Sequence, residues 1–144
     1  MILSFLGKYR EAGLLFLRLG IGTLFICHGV SMISGKHWYD WHSLTTHWHG
    51  IGADGMKPIG VNSFLTLWGA LAFLSEFVGG ILLVFGFCFR PACIFLAATM
   101  TLATIMHVKH HDDFNLATSH AATAAIIFFS LLLIGPGKYS VDKN

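Results

Sequence analysis

The chain has 144 residues, of which 55% are hydrophobic and only 11% charged, with a formal net charge of +2. Soluble domains carry about 25% charged residues, so this chain has too little charge to coat a water-facing globule of its size. It reads as one integral membrane domain, and so small a net charge gives no footing for nucleic-acid binding.

The first eleven residues, Met1 to Glu11, lack the basic start, apolar core and small-residue cleavage site of a cleaved signal peptide. The first spanning helix is therefore expected to direct insertion itself. That span is placed at residues 13–33, and about 20 residues suffice to cross a hydrocarbon core about 30 Å thick. Arg18 sits in its first third, where it either snorkels to the nearer surface or faces the bundle as a fixed positive charge. Cys27 and His28 sit in its last third.

Residues 34–61 read as a long outer loop rich in His37, Trp38, Tyr39, Trp41, His42, His47, Trp48 and His49. Trp and Tyr collect where a membrane meets water, so this loop is expected on the headgroup layer. Its length suggests that it covers something. The four histidines read as solvated or lipid-facing, although the alternate spacing of His47 and His49 suits weak chelation. The second span is placed at residues 63–87, with Asn62 or Ser63 as its cap. Along it Gly69, Ala72, Phe73, Glu76 and Gly80 share one helical face. Small residues let helices approach closely in lipid, so this face turns inward and carries Glu76 with it. An ionisable group at such depth is costly, and is a functional hypothesis by default.

A tight turn at residues 88–91 leads to a third span at 91–107, with Pro91 at its first helical position. Lys109, His110, His111, Asp112 and Asp113 then mark a polar connection. The fourth span, 119–134, is expected to be capped by Thr118 or Ser119 and to end at Gly135-Pro136-Gly137, leaving a polar tail. Cys27, Cys88 and Cys93 have no disulfide spacing and read as reduced. The predicted fold is all-α: an integral membrane antiparallel four-helix bundle with both termini on one side. Lys8, Arg10, Arg90, Lys138 and Lys143 fall on the terminal side and Lys36, Lys57 and Lys109 on the other, a bias that predicts cytoplasmic termini. The glycine-rich faces suit packing within one chain or between copies, so a homo-oligomer stays open.

Helix rise turns these spans into depths. Measured from the inner ends, His28 lies at about 22 Å, Glu76 at about 17 Å, His107 at about 24 Å and His120 at about 21 Å. Arg18 lies lower, at about 8 Å. Each helix thus brings one titratable group to a layer in the outer half of the bilayer. Two chemistries follow. Three imidazoles and a carboxylate suit a divalent zinc, copper or iron ion; alternatively, the layer binds a quinone head group and supplies it with protons. Against both stand structural roles: interfacial positions for His107 and His120, a plain interhelical hydrogen bond for His28, and a pair of Glu76 with Arg18 or His28.

Several stretches together resemble the DoxX family of small bacterial membrane proteins. They are Leu17-Arg18-Leu-Gly20-Ile-Gly22, Phe25-Ile-Cys-His28-Gly29, Glu76-Phe-Val-Gly79-Gly80, Gly86-Phe-Cys-Phe-Arg90, His107, and Leu133-Ile-Gly135-Pro136-Gly137-Lys-Tyr139-Ser140. The resemblance implies four membrane helices in a bacterial inner membrane and a link to redox chemistry, since relatives include the membrane subunit of a thiosulfate:quinone oxidoreductase. His120 and the His- and Trp-rich outer loop depart from the family pattern and point toward a metal-related specialisation. The chain shows no cofactor-attachment motif and is too small for a flavin domain, so an electron donor would be a separate redox partner. The leading expectation is a quinone-linked membrane component in which Glu76 and His28 handle protons or ligate a metal and Arg18 balances charge. The alternative is a non-catalytic protein that binds metal or lipid, or scaffolds a redox partner.

Overall fold

The computed structural model describes residues 4–33, 40–109 and 116–142. Its helices are α1 (Arg10–Ser31), α2 (Trp41–Met56), α3 (Leu65–Phe85), α4 (Phe89–Lys109) and α5 (Leu116–Ile134); a 3₁₀ segment, Ser4–Tyr9, leads into α1. Among the described residues three helices are long and apolar enough to cross a membrane, Gly7–Ser31, Leu65–Phe85 and Phe89–Lys109, and a shorter apolar helix runs over Thr118–Ile134. The protein is an all-α membrane protein whose four apolar helices match the four expected spans.

The order of packing is α1 on α3, α3 on α4 and α4 on α5, with α2 laid across the outer face of α3. One end of the bundle gathers the start of α1, the end of α3, the start of α4 and the end of α5. Arg18 on α1 bonds carbonyls at Leu83, Val84 and Pro136, so α1 runs antiparallel to both α3 and α5. Fully buried Leu83, Phe89, Cys93, Leu96, Phe128 and Leu131 fill this half of the bundle. All three cysteines are free thiols.

The outer segment departs from expectation. Residues 34–61 do not form an irregular loop: 41–56 are helical, followed by a short 3₁₀ turn at Lys57–Ile59. Asp40 starts α2 by accepting hydrogen bonds from the backbone N–H groups of His42 (3.1 Å) and Ser43 (3.3 Å). Gly52 of α2 and Gly69 of α3 are packing positions. A Cβ on Gly52 would lie 1.7 Å from the Leu65 carbonyl oxygen, and one on Gly69 would lie 1.9 Å from that of Trp48. Backbone presses on backbone where α2 crosses α3. Trp48 then stacks on Phe73 at 5.7 Å, and Phe73 on Phe77 at 5.7 Å. Tertiary packing of this kind, rather than helix propensity, stabilises most short helices. His37 and the polar connection at 110–113 lie outside the described residues.

The helix starts also differ. Neither Asn62 nor Ser63 caps α3; the cap position is Phe64, with φ 56° and no side-chain hydrogen bond. A left-handed residue lacks the extended backbone that a side-chain cap requires. Helix α4 begins at Phe89, so Pro91 is its third residue, still inside the first turn where a missing N–H costs nothing. The cap for α4 comes from the far end of the chain. The Asp142 carboxylate accepts from the N–H groups of Cys88 (3.2 Å) and Phe89 (2.8 Å). Helix α5 starts at Leu116, which puts Thr118 and Ser119 inside it rather than at its cap.

Candidate functional site

Glu76 lies on the inward face of α3, between Gly69 and Gly80, and is 2% exposed. On α1, Gly22 lies against Gly80: a Cβ on Gly22 would come within 2.9 Å of the Gly80 carbonyl oxygen. This close approach brings His28, six residues further along α1, beside Glu76. Its Nδ1 forms a hydrogen-bonded ion pair with the Glu76 Oε2. With the carboxylate as acceptor, Nδ1–H is the donor, which fixes the ring and leaves Nε2 without a partner among the described residues. The His28 side chain is 61% exposed, against 3% for that of Glu76. Histidine thus forms the accessible half of the pair, and the carboxylate lies behind it.

The pair borders a cavity of about 1310 Å³ whose wall reaches from Leu82 and Pro91 toward the inner end to His107 and His120 toward the outer end. Its wall is mainly apolar, from Phe25, Ala72, Gly79, Met100, Ala103 and Ile127 among others. His107 near the end of α4 and His120 near the start of α5 line the same space. The side chains expected in one layer do therefore share one cavity. Among the described residues no group of three or more His, Cys, Asp or Glu side chains could hold a metal ion.

Arg18 is elsewhere. It is 1% exposed, and it donates hydrogen bonds to four carbonyls: Leu83 (3.1 Å), Val84 (3.1 Å), Pro136 (2.5 Å) and Tyr139 (3.1 Å). Its guanidinium also lies 5.8 Å from the Phe89 ring centre. The expected charge balance between Arg18 and Glu76 is not made, because the guanidinium is engaged at the opposite end of the bundle. His42, His47 and His49 are exposed positions on α2, apart from the pair.

Sequence reasoning missed two parts of this arrangement. One is Phe25, whose ring packs edge-on against Phe128 with centres 4.8 Å apart and lines the cavity below His28. The other is the tail. Its stitching to Arg18, to Glu11 through Lys138 N–H (2.9 Å) and to α4 through Asp142 seals the inner end. The run Gly135-Pro136-Gly137 signalled only that α5 stops.

A bundle of apolar helices, with a histidine–glutamate pair beside an apolar cavity, defines a multi-pass membrane protein. The DoxX family pattern matches residues 13–109, and the chain belongs to the DoxX family. It is 30% identical over 138 residues to the inner membrane protein YqjF of Escherichia coli (strain K12), a match that covers 94% of each chain. No solved structure matches it. The helices and this relative make it a multi-pass inner-membrane protein.

Proposed function

We propose that the protein binds a quinone head group in this cavity and acts as the membrane component of a quinone-linked redox system, with both termini cytoplasmic. The observation that carries this reading is the His28–Glu76 pair on the wall of an apolar cavity of about 1310 Å³. Ligand pockets commonly enclose about 300–1,000 Å³ with apolar walls and a few placed polar groups; this one is large enough for a head group and part of a chain. His28 presents Nε2 toward a ligand carbonyl oxygen, and Glu76 holds the ring in place through Nδ1. With Nδ1–H engaged by Glu76, a protonated ring can give its Nε2 proton to a ligand oxygen, and Nε2 is then reprotonated from the exposed side of the ring. A bound quinone would accept two electrons and two protons; the electrons come from a separate redox partner, since the chain has no cofactor-attachment motif. No step of this reading passes through a metal. The positive-inside rule supports the orientation, because Lys8, Arg10, Arg90 and Lys138 lie toward the sealed end and Lys57 and Lys109 toward the hollow one.

The test is titration of the purified protein in nanodiscs with a decyl-substituted benzoquinone, read by tryptophan quenching, since Trp68 lines the cavity. A hydrogen bond to a charged group is worth about 1.5–3 kcal/mol. Glu76→Gln and His28→Ala should therefore weaken binding by about tenfold or more. No binding by the parent protein, or unchanged binding by both variants with native helix content, would refute the reading. The apolar wall favours a second occupant, a phospholipid acyl chain. Stoichiometric phospholipid retained on purification, with no displacement by quinone, would support that alternative and a scaffold role.

A further inference from the structure

We infer that the cavity is reached sideways from the bilayer through the seam between α1 and α5, so that its ligand is an amphiphile whose long apolar chain lies in that seam. The inference rests on the head-group reading above and adds the route and the chain. Helices α1 and α5 are the one neighbouring pair around the bundle that fails to close: no Cα of α1 comes within 8 Å of one on α5 among the described residues. The Phe25–Phe128 ring contact crosses the gap below His28, and nearer the inner end Leu14 and Ile21 of α1 share the packed core with Phe128 and Leu131 of α5. Beside and above the ring contact, Leu24 and His28 on α1 and His120 and Thr123 on α5 both line the cavity and are exposed. Exposed wall residues on two helices that do not meet mark a mouth.

On the α3–α4 side Leu74, Val78, Phe95 and Ala98 are also exposed wall residues, but there the two helices pack together. Ser75 on α3 is hydrogen-bonded to Thr99 on α4 at 2.9 Å. Ile51, Gly55 and Met56 of α2 line the cavity from the outer side, between it and the aqueous surface. The tail and the packed half of the core block the inner end. His28 stands about 22 Å above Gly13 near the start of the apolar stretch of α1, so the mouth opens onto acyl chains rather than water. Leu24, 69% exposed, flanks it. A ligand arriving by this route must already be dissolved in the bilayer. Its head would turn in to meet His28, and its chain would stay in the seam.

The experiment uses the intact protein in nanodiscs and two probes: a benzoquinone carrying a decyl chain, and its chain-free counterpart. Leu24→Trp and Thr123→Trp place bulk at the mouth from opposite helices; both positions are exposed, so neither change overpacks the core. Ile126→Trp, at an exposed α5 position outside the cavity lining, is the control. Both mouth variants should lose about tenfold or more in affinity for the chain-bearing probe while holding the chain-free probe within about twofold, and the control should match the parent for both. Mouth variants that bind the chain-bearing probe like the parent, or lose both probes equally, overturn the seam while leaving head-group binding intact. A parent protein that binds neither probe overturns both.

Discussion

Replacing Arg18 should release the C-terminal tail without touching the cavity. The guanidinium is 1% exposed and joins α1 to the last turn of α3 and to the segment after α5 through four carbonyl acceptors. Those at Leu83 and Pro136 are buried. A hydrogen bond from a charged donor contributes about 1.5–3 kcal/mol. The two buried bonds alone therefore set a loss of about 3–6 kcal/mol for Arg18→Ala, before the freed carbonyl ends of α3 are counted. Lysine does not substitute, since a single ammonium lacks the planar fork that reaches acceptors on two separate segments. Nor can the neighbourhood close over the gap: Gly86 has φ 63°, and a Cβ there would meet the Arg18 Nη2 at 2.7 Å. The assay is unfolding in mild detergent, combined with limited trypsin cleavage at Lys138. Arg18→Lys should show intermediate stability, faster cleavage and parental quinone affinity; Arg18→Ala should lose about 3 kcal/mol or more. A tail that stays protected in Arg18→Ala, with stability within about 0.5 kcal/mol of the parent, would refute the assignment. A selective loss of quinone binding in Arg18→Lys would return Arg18 to the functional site.

Gly52→Ala should detach α2 from α3, because the added Cβ meets the Leu65 carbonyl oxygen at 1.7 Å; a loss of about 1–3 kcal/mol is expected. Gly50→Ala, with nothing within 4 Å of its added Cβ, should be neutral or stabilise by up to about 1 kcal/mol, so matched unfolding curves decide the point. Asp142→Ala removes the acceptors of the Cys88 and Phe89 N–H groups and should cost about 1 kcal/mol, with faster amide exchange confined to the first turn of α4. Asp40 is held below the usual carboxylate range first by the backbone N–H of His42 and then by that of Ser43. Its contribution to α2 is present above the ordinary carboxylate pKa and disappears as pH falls through the lowered folded value. Amide exchange at His42 and Ser43 should therefore quicken on acidification in the parent protein, while Asp40→Asn, which caps without titrating, should show no such change.

How much of this was legible in the sequence follows from the range of each interaction. The apolar runs are local, and the spans at 13–33, 63–87, 91–107 and 119–134 lie within a few residues of the helices. The inward face of α3 was legible for the same reason, since small residues at helical spacing mark close contact whatever the partner. Helix α2 was not, because Gly50, Gly52 and Gly55 carry the composition of a loop. They form a helix only because Gly52 meets Gly69 and Leu65 across a helix crossing that no local pattern encodes. Asp40 ahead of Trp41 was an available cap signal. The role of Arg18 was out of reach: its acceptors at Pro136 and Tyr139 lie 118 and 121 residues away in sequence. Depth alone suggested Glu76 as its partner, and depth says nothing about which end of a neighbouring helix a side chain meets.

The His28–Glu76 pair itself distinguishes a working site from a structural tie, because its two halves should respond with different magnitudes. Removing His28 leaves the 3%-exposed Glu76 side chain without this hydrogen-bond partner, and an unsatisfied buried group costs about 1–3 kcal/mol, more when charged. His28→Ala should therefore unfold well before the parent. Glu76→Gln removes the buried charge while keeping the side chain's shape and a hydrogen bond to the ring, and buried ion pairs are often no more stabilising than neutral groups that fill the same space. Its stability should stay within about 1 kcal/mol of the parent, or rise, while quinone binding is lost. Such a residue weakens the fold or leaves it unchanged and is retained for what it binds. If Glu76→Gln is instead as unstable as His28→Ala, the carboxylate is holding α1 to α3, and the cavity beside it would need some other polar group to orient a ligand.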